Sequence, residues 1–125
     1  MESGKHITHY NSNFFINPLV QLDSESKIAL FNLKENGLIG YHQAAVPQLL
    51  IVLEGEGYVR SDESEFIKLS FGEAVLWTAG EWHETKSENG MLALVIESKI
   101  LNNNQILLEK TFKISEKTRT LLMKN

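Results

Sequence analysis

The chain has 125 residues, a formal net charge of −4 and no cysteine. That length is one domain, long enough to bury a working core without disulfides. The missing thiols exclude a disulfide framework, a cysteine nucleophile and a thiolate metal site, and leave His, carboxylates and amides as the only metal ligands. No dense Lys/Arg patch is available for phosphates, so no nucleic-acid partner is expected. No stretch approaches the ~18 apolar residues of a membrane span. Residues 1–10 are polar and lack the apolar run of a signal peptide, so no membrane partner and a cytoplasmic location are expected.

Short apolar runs recur along the chain. In order they are Phe14–Ile16, Ile28–Phe31, Leu38-Ile39, Leu49–Leu53, Tyr58-Val59, Phe66-Ile67, Ala74–Trp77 and Met91–Ile96. Polar and glycine clusters separate them, the pattern of an all-β sandwich or barrel. Glu35-Asn36-Gly37 and Glu88-Asn89-Gly90 each contain an Asn-Gly pair, which suits the positive φ of a tight hairpin turn. Leu49–Leu53 is apolar on both faces and predicts a central strand covered on both sides. Glu54-Gly55-Glu56-Gly57 closes that run and opens the next, which predicts a hairpin. Pro18 and Pro47 are the only prolines, and neither a linker nor a repeat divides the chain. Near the C-terminus, Ile106–Leu108 and Phe112–Ile114 could pair as a last strand. Ser115 reads as the N-cap of a short helix running through Arg119, Leu121, Leu122 and Met123, with a frayed tail as the alternative.

Two histidines stand about 40 residues apart in this pattern. His42 precedes the strand Gln48–Leu53, and His83 follows the segment Gly72–Trp82. Each is tied to an apolar strand and a glycine turn, which suggests one pocket inside a barrel.

The spacing around these histidines resembles the cupin superfamily. In that family a first motif places His-any-His before a Glu, then six residues and a Gly. Here His42-Gln43-Ala44 occupies the His-any-His position, Gln48 stands where the Glu would be, and Gly55 follows after six residues. The second motif is Gly, five residues, Pro-any-Gly, two residues, His. Here it reads Gly72, five residues, Thr78-Ala79-Gly80, two residues, His83. The resemblance implies a jelly-roll β-barrel with a short C-terminal strand or helix. Residues 1–125 form a single domain, with the barrel core over about 28–97, an N-terminal arm over 1–27 and a C-terminal extension over 98–125.

The family's metal cage is incomplete in this sequence. On a strand, residues two apart share a face, so His42 and Ala44 would both face inward. Ala44 cannot ligate, and Gln48 offers only a neutral oxygen. The implied metal set is His42, Gln48 and His83, which would hold a divalent ion (Zn, Ni or Fe) weakly if at all. Glu81, two residues before His83, is a candidate replacement ligand. Trp82 is expected beside the pocket, and Trp77 in the core. Alternation does not place Tyr41 or Tyr58. His6 and His9 read as a solvated terminus rather than a metal pair.

The expected function is a small-molecule-binding barrel whose ligand meets His42, Gln48, His83 and Trp82. One alternative is a metal-dependent enzyme (an isomerase, lyase or dioxygenase) using His42 and His83. Another is a structural or regulatory module working as a homodimer, with Phe14, Phe15, Ile16 and the C-terminal apolar residues as its surface. Dimers are also what the family resemblance implies. With no DNA-binding helix pair, the chain would resemble only the sensor half of a transcription factor.

Overall fold

The computed structural model describes residues 4–62, 64–102, 110–113 and 120–123, the last two segments by their backbone alone. Among the described residues eleven strands follow in chain order. They are β1 (Lys5–Ile7), β2 (Phe14–Asp23), β3 (Ser26–Leu33), β4 (Gly37–Gln43), β5 (Gln48–Ser61) and β6 (Ile67–Ser70), then β7 (Ala74–Trp77), β8 (Trp82–Ser87), β9 (Met91–Glu97), β10 (Lys110–Lys113) and β11 (Thr120–Met123). A 3-10 turn, His9–Asn11, links β1 to β2, and no α-helix occurs among the described residues. The all-β expectation holds.

Two sheets share the long strand β5. The first runs β1-β2-β3-β9-β5-β7-β10-β11, and the second joins β4, β8, β5 and β6. Residues 48–55 of β5 pair with β7 and β9, and residues 56–61 pair with β6 and β8. The core lies between the sheets and includes Phe14, Phe31, Leu33, Ile39, Leu50, Val52, Val59, Leu69, Trp77 and Val95. A smaller cluster, Leu49, Ala74 and Leu76, packs on the opposite face of the first sheet. Alternate residues of β5 thus enter two apolar layers, as the unbroken run Leu49–Leu53 predicted.

Several local expectations are corrected. Glu54–Gly57 is no hairpin, because β5 continues through it and changes sheet there. A register shift between Val52 and Glu54 bends the strand, and Gly55 has φ +76°. A Cβ at Gly55 would lie 2.3 Å from the Gly90 carbonyl oxygen, so only glycine fits this corner. The two Asn-Gly pairs make turns, with positive φ at Asn36 and Gly90, but neither turn closes a hairpin. Each joins strands of different sheets, since β3 pairs with β2 and β9 while β4 pairs with β8. Turn chemistry specifies a reversal of direction, and the tertiary fold decides which strands meet.

The C-terminal helix is also corrected, because Thr120–Met123 is a strand, paired antiparallel with β10. β10, which includes Phe112, pairs in parallel with β7. The proposed N-cap Ser115 and the run Ile106–Leu108 lie outside the described residues. The N-terminal arm, residues 1–27, contributes β1 and β2 to the first sheet. Phe14 is a core residue there and cannot supply a dimer surface; the exposed apolar residues of β2 are Leu19, Val20 and Leu22.

Candidate functional site

His42 on β4 and His83 on β8 are direct cross-strand partners. Between Ile39 and His42 the ladder gains one residue, because Ile39 pairs with Thr85 and His42 with His83. This bulge rephases β4, so Ile39 and His42 both turn inward although they are three residues apart. The imidazole centroids are 4.3 Å apart. His83 then stacks on Trp77 at 4.3 Å, and His42 stacks on Tyr10 at 5.1 Å. Four rings therefore run from a solvent-facing tyrosine, 64 % exposed, to a tryptophan in the core.

Backbone carbonyls fix the orientation of both imidazoles. His42 Nδ1–H donates to the Gly40 carbonyl at 2.7 Å, and His83 Nδ1–H to that of Glu81 at 3.3 Å. A carbonyl can only accept, so the proton sits on Nδ1 and, in a neutral ring, Nε2 is a lone pair. His83 is 1 % exposed, and its Nε2 has no protein partner. Burial first, and the adjacent His42 second, push the His83 pKa down from 6.5 to about 3, against the bond to Glu81.

Gln48 and Glu97 are register partners at the neighbouring ends of β5 and β9. The buried Gln48 amide donates from Nε2 to Glu97 Oε2. The other carboxylate oxygen of Glu97 faces the exposed Lys27 at 3.5 Å. His42, Gln48 and Glu97 are shared by two cavities. One, of about 200 Å³, is walled by Ile7, Phe14, Phe31 and Ile39 and covered by Tyr10. The other, of about 170 Å³, is bounded by residues 43–46. Two larger hollows lie elsewhere, at the Asn36 and Gly90 turns and along β2 and β3, and bring no comparable buried polar groups together.

The residues singled out from the sequence divide on this geometry. His42 and Gln48 line both cavities. His83 is packed behind His42 and lines neither. Trp82 points the other way along β8, 42 % exposed and stacked on Tyr41 at 5.3 Å on the outer face. It is therefore separate from the cavities. Glu81 is no ligand, because its carboxylate accepts from Ser61 Oγ (2.6 Å) and from the Thr78 backbone N–H (2.8 Å). His6 is bonded to Asn13 and stacked on Phe15, while His9 lines the larger of the two cavities. Glu97 and Tyr10 were not read from the sequence. Alternation within Met91–Glu97 gave no reason to single out its last residue, and Tyr10 precedes every apolar run.

The donor set does not fit the four-ligand metal cage that the resemblance implies. Ala44 has no donor, Glu81 is engaged, and Gln48 brings only a neutral oxygen where the family has a carboxylate. Among the described residues no three His, Cys, Asp or Glu side chains converge as a metal group.

No protein-family model and no curated protein matches the chain. Solved structures do match. A cupin-like protein from Thermotoga maritima has a TM-score of 0.71 at 16 % identity, covering 80 % of this chain and 80 % of its own. A cupin superfamily protein from Desulfitobacterium hafniense has a TM-score of 0.63 at 19 % identity, covering 69 % of this chain and 77 % of its own. An RmlC-like cupin with a double-stranded β-helix fold from Methanocaldococcus jannaschii has a TM-score of 0.62 at 15 % identity, covering 78 % and 91 %. At these identities the likeness shows the fold. The chain is a cupin-fold barrel, as the two motifs implied.

Proposed function

We propose that this barrel binds a small organic molecule in the cavity between His42, Gln48, Glu97 and Tyr10, without a tightly held metal. The observation that carries this reading is the make-up of the cavity. Apolar walls from the core surround a few convergent polar groups, the usual composition of a ligand site. Its volume, about 200 Å³, is below the ~300–1,000 Å³ of drug-sized sites, so the ligand is of fragment size. What supports this reading over metal-dependent isomerase, lyase or dioxygenase chemistry is that the family's anionic position holds Gln48 and that, among the described residues, no three His, Cys, Asp or Glu side chains converge as a metal group.

The test is a fragment titration followed by backbone amide NMR, comparing the native protein with Ile39→Trp. Ligands that bind should shift the amides of Ile39, His42 and Gln48, and the indole filling the cavity should abolish those shifts. Shifts elsewhere, or shifts unchanged in a folded Ile39→Trp, would contradict the reading.

A further inference from the structure

The polar groups where the two cavities meet have one chemical character. His42 presents a bare Nε2, because its Nδ1–H is held by Gly40. Gln48 has given one of its two amide N–H groups to Glu97, which leaves its oxygen and one N–H. Glu97 adds a carboxylate. The free capacity at this junction is therefore mostly lone pairs, together with one negative charge. The Gly40 N–H beside it is already bound by Ser12 Oγ at 2.8 Å. Among the described residues the cation paired with the carboxylate is Lys27, whose side chain is 54 % exposed and can leave at little cost.

A site of acceptors within apolar walls selects a ligand of opposite character. Resting on the binding reading above, we infer that the ligand is a small primary ammonium compound. Its apolar body lies against Phe31 and Ile39, and its ammonium group donates to Glu97, Gln48 and His42. An ammonium carries three N–H donors and no acceptor, matching the three acceptors here. A carboxylate ligand would face Glu97 at close range and is rejected by charge. A neutral alcohol fits the walls but offers one donor and no charge.

The experiment titrates the full chain with benzylamine, benzyl alcohol and benzoate near neutral pH, reading dissociation constants from amide NMR shifts. Benzylamine is expected to bind at least about tenfold more tightly than the other two. Glu97→Gln should erase that preference, leaving benzylamine no tighter than benzyl alcohol in the same variant. Lys27→Gln, which removes the competing cation from an exposed position, should tighten benzylamine. If benzoate or benzyl alcohol binds as tightly as benzylamine, or if Glu97→Gln keeps the preference, the inference is overturned and the binding reading stands. If none of the three shifts the cavity amides, both are overturned.

Discussion

His83 and Glu81 differ in chemistry but share one logic. Both are polar side chains in the interior, and each constrains its surroundings. His83 is held neutral by burial, with its pKa near 3 in the folded state against 6.5 ordinarily. Below pH ~6.5 the unfolded chain therefore takes up a proton that the folded chain refuses, and folding stability falls with pH until about pH 3. The loss should approach ~1.4 kcal/mol per pH unit in the middle of that window. Urea melts at neutral and mildly acid pH measure it, and His83→Leu should remove this share of the acid sensitivity. An equal slope in the variant would show that His83 is not the titrating group. Glu81, in the turn between β7 and β8, closes that turn through Thr78 and ties it to the end of β5 through Ser61. Glu81→Ala leaves those donors in the interior and should cost about 2 kcal/mol in denaturant melts. A change within error would show the bonds to be dispensable.

At this scale the sequence was partly legible. Motif spacing singled out both histidines and Gln48, because the barrel fixes where these positions fall. Trp82 was misplaced because adjacency along a strand puts neighbours on opposite faces, and His83 took the inward one. Glu97 was invisible because its role depends on the register of β9 against β5, a pairing across 49 residues.

Among the elements, β4 and β5 position the site, and each does so through an irregularity. The β4 bulge turns His42 inward, and the β5 corner carries one strand through both sheets. Gly55→Ala tests the corner. The left-handed φ and the approach to Gly90 oppose a side chain together, and the loss should be about 2–3 kcal/mol, read as a shift in urea midpoint. A variant of native stability would show that the corner relaxes without strain. These irregularities explain the errors in reading turns. Glycine pairs reported that the chain bends, which was correct at Gly55, Asn36 and Gly90. Whether a bend is a hairpin, a corner or a crossing depends on strand partners far away in sequence. The C-terminal strand β11 was missed for a related reason. Its four residues have a pattern too short to separate helix from strand, and its pairing with β10 decides the outcome.

For the whole molecule, the fold was the most legible property, because short apolar runs and two spaced glycine–histidine motifs describe a barrel together. The chemistry was less legible, because it arises where the N-terminal turn covers the barrel mouth. Residues 1–27, set apart as an arm, contribute Ile7, Tyr10 and Phe14 to the cavity. The central proposal is a site without a tightly held metal, in which His83, behind His42, keeps its Nε2 as a buried lone pair. Long-range proton–nitrogen NMR of the protein labelled with ¹⁵N-histidine tests it most directly. The expected spectrum at neutral pH shows His83 neutral, protonated on Nδ1 and bare at Nε2, with the nitrogen shifts of both rings unchanged by a chelator. An Nε2-protonated His83, or rings whose nitrogen shifts move on chelation, would contradict it.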